Sequence, residues 1–156
     1  ESNGYRERFS TEPPDGAVLD PVPKEDYNSG HALGVIEPDG SIVIRAAFSD
    51  GDELKTFEDI PLYSAVQVVE CTEEGVLSIT EPVMRAAIGD RVVSVVLVFS
   101  CVARLDLLGD RAEEEAERLN AEGGRARTVG FYTYGEFART TGIAGVHNGT
   151  LTVIAL

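Results

Sequence analysis

The spacing of hydrophobic and polar positions predicts a chain that alternates between strands and helices from Ala32 onward. The segments "ALGVIE" and "SIVIRAAF" flank the turn "PDG", which is typical of a β-hairpin. A third strand is predicted for "AVQVVE", Ala65–Glu70. The run "VVSVVLVFSC" is apolar on both faces, as in a central strand. Two last strands are predicted for "RTVGFYTYGEF" and "GTLTVIAL".

Two segments between these strands predict helices. The first, "CTEEGVLSITEPVMRAAIG", has Glu73 and Glu74 in its first turn and Gly89 at its end. Pro82 has no backbone N–H, so it predicts either a kink or a separate helix start at Thr80. The second helical segment is "LDLLGDRAEEEAERLNAEGG".

The second helix is predicted to be amphipathic. Its apolar side consists of Leu105, Leu108, Ala112, Ala116 and Leu119. Its acidic run, Glu113–Glu117, is expected to face water. The predicted order β-β-β-α-β-α-β-β indicates an α+β domain, in which two main helices pack on a mixed β-sheet.

The first part of the chain differs in composition from the rest. Four of the seven prolines fall within the first 23 residues, which predicts an extended Pro-rich arm or linker over residues 1–29 and a folded domain over residues 30–156. With 156 residues, 43% of them hydrophobic, the chain is long enough for one domain with a core. It begins at Glu1 without a signal-peptide pattern, so we expect a piece of a longer protein.

The charge of the chain excludes some classes of partner. The formal net charge of −14 argues against binding to nucleic acid or to anionic lipid. No apolar run approaches the ~20 residues that span a bilayer, so no membrane insertion is expected. The chain has an excess of acidic residues, and its only lysines are Lys24 and Lys55. This pattern favours a halophilic protein, in which salt screens the repulsion between the negative charges. An ordinary acidic protein from a GC-rich genome is the alternative.

Cysteine usage indicates a reducing compartment. Cys71 and Cys101 have no metal-binding spacing, and an isolated pair in a domain of this length favours free thiols in the cytoplasm. Neither a metal nor a cofactor is expected.

Polar residues accumulate where the predicted strands end. These candidates for one ligand pocket are Cys101, Arg104, Tyr132, Tyr134, Glu136, His147 and Asn148. The ends of strands in αβ layers are common ligand sites, because backbone amides and helix N-termini are free there.

A purely structural role is open for each of them. Cys101 is of a type that is often buried, and Arg104 has Asp106 or Asp110 as surface partners. The two tyrosines suit core packing, and the His-Asn pair suits a turn. Glu136 is the hardest to explain in this way, because a carboxylate among aromatic residues needs a partner.

Four motifs resemble the C-terminal half of the FIST domain, a sensory domain of signalling proteins. They are "VLVFSCVAR", "LGDRAEEEAERL", "VGFYTYGEFAR" and "HNGTLTVIAL". The upstream segments "HALGVIEPDGSIVIRAAF" and "EDIPLYSAVQVV" are similar to the family's opening strands. The resemblance covers roughly residues 30–156, with Ala103 where the family usually has glycine.

The resemblance implies a sensor of small ligands, with an amino acid or a similar small carboxylate as the expected ligand. An output module in the parent protein, such as a histidine kinase, is the implied partner. Arg104 offers a bidentate fork to a carboxylate, Glu136 suits an ammonium group, and Tyr132 or Tyr134 suits a pocket wall. No catalytic activity is implied.

Two other classes of function stay open. In a cysteine-dependent enzyme, Cys101 would be the nucleophile, His147 the base and Glu136 the orienting group. In a protein-interaction module without a ligand, the polar clusters would be structural.

Overall fold

The computed structural model describes residues 6–7, 31–50, 52–138 and 145–156. Apart from Arg6–Glu7, the predicted arm over residues 1–29 lies outside the described residues.

The first half of the chain forms an antiparallel sheet and a separate hairpin. Its strands are β1 (Arg6–Glu7), β2 (His31–Ile36), β3 (Ile42–Arg45), β4 (Ala47–Asp50), β5 (Glu53–Thr56) and β6 (Ala65–Glu70). The sheet has the order β1-β6-β2-β3, and β4 pairs with β5. The predicted hairpin and third strand are confirmed. The prediction of one strand for "SIVIRAAF" is wrong, because the segment divides at Ala46 into β3 and β4.

Each of the two predicted helices is divided into two. The first gives α1 (Glu73–Ser78) and α2 (Thr80–Ile88), and the second gives α3 (Val102–Leu108) and α4 (Ala112–Gly123), which are joined by a 3-10 turn. Pro82 lies in the first turn of α2, where the helix does not use its missing N–H. The predicted start at Thr80 is therefore confirmed.

The second half of the chain forms a mixed sheet. Its strands are β7 (Val95–Cys101), β8 (Arg127–Thr133) and β11 (Leu151–Ala155), in the order β11-β7-β8. The strands β7 and β8 are parallel, whereas β11 and β7 are antiparallel. The central position predicted for β7 is confirmed.

A short ribbon follows β8. It pairs β9 (Glu136–Ala138) with β10 (Gly145–His147). The prediction of one continuous strand over "RTVGFYTYGEF" is therefore wrong, because the chain leaves the sheet after Thr133. Gly135 lies at this break with a φ of 149°, which favours glycine.

The main core lies between the mixed sheet and the two longer helices, α2 and α4. It contains Met84, Val96, Val98, Leu119 and Leu151, together with Ile79. A second cluster joins α1 to α3 through Val76, Leu77, Leu108 and Cys71. The predicted α+β class, with two main helices on a mixed sheet, is confirmed.

The acidic run of α4 does not lie entirely in water. Glu115 is only 2% exposed, so its predicted exposure is wrong, and Ala116 is exposed instead of buried. The buried positions of α4 are Glu115, Leu119 and Gly123. They are spaced by four residues and form one stripe of the helix.

Both cysteines are buried and neither forms a disulfide, which confirms the prediction of reduced thiols for Cys71 and Cys101. In the part of the chain that the structure describes, no helix has the length and apolar character to cross a membrane.

Candidate functional site

The carboxyl ends of β7 and β8 carry polar side chains on both faces of the sheet. Ser100 lies opposite Tyr132 and Cys101 lies opposite Thr133 in the parallel register. Because consecutive strand residues point to opposite faces, the Ser100–Tyr132 pair and the Cys101–Thr133 pair belong to different faces. Two separate polar clusters result.

The cluster on the helix-covered face is centred on a buried ion pair. Arg104 is 1% exposed and Glu115 is 2% exposed. The Arg104 Nη2 and Nε atoms donate to Glu115 Oε1 at 2.5 and 2.9 Å, and Nη2 also donates to the Val76 carbonyl oxygen at 3.1 Å. The partner of Arg104 is therefore Glu115, and not Asp106 or Asp110, which were considered from the sequence.

Two hydroxyl groups complete the shell of the Glu115 carboxylate. Ser100 donates to Oε2 at 3.0 Å, and Tyr132 donates to the same atom at 3.2 Å. Burial, followed by the negative charge of Glu115, raises the pKa of Tyr132 to about 12. The Tyr132 phenol is thus a neutral donor at neutral pH, and it stabilises the carboxylate without adding charge.

A cavity of about 290 Å³ opens beside this cluster, between α4 and the β7–β8 pair. Its lining residues are Val98, Ser100, Glu115, Ala116, Leu119, Asn120, Thr128, Gly130, Phe131 and Tyr132. A side chain at Gly130 would place its Cβ 2.7 Å from the Val98 carbonyl oxygen, so this position needs glycine. The Thr128 hydroxyl is buried and has no hydrogen-bond partner among the described residues.

The cluster on the opposite face is centred on Glu136, which is buried. Thr150 donates to Glu136 Oε2 at 2.5 Å, and Thr133 donates to Oε1. Burial raises the pKa of Glu136, although the two hydroxyl donors and the positive charge of Arg104 oppose this shift. These two hydroxyls are the partners that a carboxylate at this position requires.

Cys101 belongs to the Glu136 cluster. Its backbone N–H donates to the Thr150 carbonyl oxygen at 3.0 Å, and it lies opposite Thr133. Burial raises the pKa of the Cys101 thiol, and the negative charge of Glu136 raises it further. Because the thiolate is the nucleophilic form, this environment opposes activation.

His147 and Asn148 lie beside the same cluster. His147 is paired with Glu136 across the β9–β10 ribbon. The Asn148 side-chain oxygen accepts a hydrogen bond from the Ala46 N–H at 3.1 Å, and Arg45 Nη1 donates to the Val146 carbonyl oxygen at 3.0 Å. These contacts connect the antiparallel sheet to the Glu136 cluster, which gives Asn148 a structural role.

The structure divides the residues predicted for one pocket. Arg104 and Tyr132 belong to the helix-side cluster, whereas Cys101, Glu136, His147 and Asn148 belong to the other. Tyr134 is 90% exposed and follows the end of β8, so it belongs to neither cluster.

Four polar residues of the two clusters lie outside the set predicted for one pocket. They are Ser100, Glu115, Thr133 and Thr150. The spacing of Glu115, four residues before Leu119, was the one signal for its burial. The hydroxyl residues carry no comparable signal, since serine and threonine are common on surfaces.

Comparisons with known proteins identify one family. The model of the FIST C domain matches residues 14–139, which is more than half of the chain and includes every residue that lines the cavity. No curated protein and no solved structure matches the chain.

Proposed function

The chain belongs to the FIST C domain family, and from this premise we propose that it binds a small ligand in the cavity beside α4. FIST C domains are sensory domains of signal-transduction proteins. The observation that carries the proposal is the cavity itself, with a volume of about 290 Å³. Small-molecule pockets begin at roughly 300 Å³ and combine apolar walls with a few polar groups.

The proposed ligand is an amino acid or a similar small carboxylate. The sequence predicts that the Arg104 guanidinium binds the ligand carboxylate. Its Nε and Nη2 atoms, however, donate hydrogen bonds to Glu115. Its Nη1 atom has no partner among the described residues, but Arg104 does not line the cavity. We therefore place the ligand carboxylate at the exposed mouth, where the Asn120 amide can donate to it. The remainder of the ligand enters the cavity.

A ligand in this cavity would contact a helix that is connected to α1. Arg104 joins Glu115 of α4 to the Val76 carbonyl oxygen of α1. On the surface, Arg111 Nη1 lies 3.2 Å from Glu73, and Arg111 also bonds Glu114 of α4. A shift of α4 on binding would be carried to α1 by these contacts. We propose that a cytoplasmic output module of the parent protein, such as a histidine kinase, detects this shift.

The Cys101 environment supports a sensor without catalytic activity. The thiol has a raised pKa and lies on the opposite face of the sheet from the cavity. A ligand in the cavity would therefore not meet the cysteine nucleophile of the alternative enzyme hypothesis.

One observation favours a protein-interaction module as the second candidate. The outer face of the mixed sheet exposes Val129, Phe131 and Ile154, with Phe131 at 61%. Exposed apolar surface of this kind often marks contacts with other proteins. This function does not require a ligand in the cavity.

A pair of substitutions on α4 tests the proposed site. Ala116 lines the cavity and is exposed at its mouth, whereas Ala121 is exposed on the same helix and does not line it. Calorimetric titration with the amino acids should detect binding to the native protein and to Ala121→Phe. Ala116→Phe should abolish it, because the ring fills the mouth. Equal binding by both variants, or no binding to the native protein, would reject this site.

A further inference from the structure

The cavity wall holds one carboxylate, and its charge is already balanced. Among the described residues that line the cavity, Glu115 is the only acidic or basic one. The positive charge of Arg104 lies 2.5 Å from it. Four hydrogen bonds, from Arg104 Nε and Nη2, Ser100 and Tyr132, occupy its two oxygen atoms. A carboxylate accepts about four hydrogen bonds, so Glu115 has no free position for a ligand cation.

The polar groups that remain for a ligand are all uncharged. The Thr128 hydroxyl is buried beside Gly123 without a partner among the described residues, and a change of its χ1 rotamer would turn it into the cavity that Thr128 lines. Asn120 contributes a carboxamide, and the Tyr132 oxygen retains acceptor capacity while it donates to Glu115. The remaining surface comes mainly from Val98, Leu119 and other apolar groups.

This combination selects against charge. A charged group that enters the cavity leaves water and meets no free counter-charge among the lining residues that the structure describes, which is strongly unfavourable. A hydroxyl or carboxamide, by contrast, can satisfy Thr128, whose unpaired buried hydroxyl is itself unfavourable.

We infer that the cavity accepts an uncharged, mostly apolar group that carries a hydroxyl or carboxamide function for Thr128. This inference rests on the proposed sensory function and narrows its ligand class. Among amino acids it predicts selection of neutral polar side chains such as that of glutamine. The cavity excludes acidic and basic side chains of similar size. This holds even though the carboxylate that all amino acids share can bind at the mouth.

Nearly isosteric ligands separate charge from shape. Glutamine and glutamate differ in charge, and methionine supplies an apolar chain of similar length. Titration of the native protein should give glutamine an affinity at least about tenfold higher than that of glutamate or lysine, since an unpaired buried charge is costly. Glutamate or lysine that binds as tightly as glutamine would overturn the inference.

A variant of Thr128 tests the hydrogen bond. Thr128→Val keeps the shape and should weaken glutamine binding by roughly 3- to 10-fold, the usual effect of one hydrogen bond, while methionine binding stays unchanged. Thr152→Val, in β11 and outside the cavity lining, is the matched control and should change neither. Equal weakening of both ligands by Thr128→Val, or of neither, would contradict the role of its hydroxyl.

The two proposals fail in different ways. If glutamate or lysine binds and Ala116→Phe blocks it, the sensory site stands and the inference about charge is wrong. If no amino acid binds the native protein, the proposed function fails and the inference fails with it.

Discussion

Arg104 and Glu115 form an ion pair that is closed to solvent, with Nη2 and Oε1 2.5 Å apart. They come from α3 and α4, which the 3-10 turn separates, and their contact fixes the relation between the two helices. The Arg104 bond to the Val76 carbonyl oxygen includes α1 in the same unit. The pair thus supports the wall of the cavity from behind.

Removal of one member of this pair should be costly. Arg104→Met leaves the Glu115 carboxylate buried without its counter-charge, so we expect the free energy of unfolding to fall by about 3–5 kcal/mol. Urea denaturation followed by circular dichroism measures this. Arg118→Met, which removes a half-exposed ion pair with Glu114, is the control and should cost less than about 1 kcal/mol.

A double variant tests whether the loss comes from the stranded charge. Arg104→Met combined with Glu115→Leu removes both charges, and it should be more stable than Arg104→Met alone. A double variant that is less stable than the single one would contradict the account of the buried charge.

Glu136 should make stability depend on pH. Burial raises its folded-state pKa above the ordinary value of about 4.3. Protonated Glu136 therefore stabilises the folded protein fully at a pH below that ordinary pKa. This stabilisation is lost as the pH rises through the folded-state pKa. Glu136→Gln stays neutral, so its stability should exceed that of the native protein by a margin that grows from about pH 4 upward.

Urea unfolding between pH 4 and pH 8 measures that margin. In the variant, Thr150 can still donate to the amide oxygen, and the Thr133 hydroxyl can accept from the amide nitrogen. Glu117→Gln, at an exposed position of α4, is the control. A margin that shrinks with rising pH would show that the hydroxyl donors and Arg104 outweigh burial.

The hydrophobic pattern was sufficient for most of the fold but not for the site. It located β6 and β7 because both are rich in valine, which favours strands. It missed β9 and β10, which have three residues each and depend on pairing with each other. The end of β8 at Thr133 was also missed, because the aromatic sequence continues through Tyr134 without a change in hydrophobicity.

The site depends on contacts between residues that are distant in the sequence. The local sequence does not distinguish the five glutamates of α4, and only the position of Arg104 makes the burial of Glu115 favourable. Asn148 is similar, since its partner is the backbone of Ala46, 102 residues away. Such pairings follow from the tertiary fold, so local patterns do not predict them.

The Cys101 thiol should be unreactive in the native protein. Its pKa is raised by burial and by the negative charge of Glu136, so the nucleophilic thiolate is disfavoured relative to an exposed cysteine. Cys71→Ser leaves Cys101 as the only thiol, and its reaction with a thiol-specific disulfide reagent should be far slower when folded than in urea. Rapid, stoichiometric reaction of the folded variant would favour the cysteine-enzyme hypothesis.

Salt should stabilise the protein if the halophilic interpretation is correct. The net charge of −14 is poorly screened in dilute buffer, so the melting temperature should rise as KCl increases from millimolar to molar. Screening also weakens exposed ion pairs such as Arg111–Glu73, but each contributes less than about 1 kcal/mol. A variant with Glu113→Gln and Glu117→Gln should show a smaller rise, and a flat or falling native curve would contradict the interpretation.

We expect the cavity between α4 and the β7–β8 pair to hold the ligand. A crystal structure of the domain grown with saturating glutamine tests it most directly. We predict electron density for glutamine enclosed by Ala116, Gly130 and Tyr132, with its carboxamide hydrogen-bonded to the Thr128 hydroxyl and the Arg104–Glu115 pair intact. Glutamine bound instead at the Glu136 cluster, or an empty cavity in those crystals, would contradict the claim.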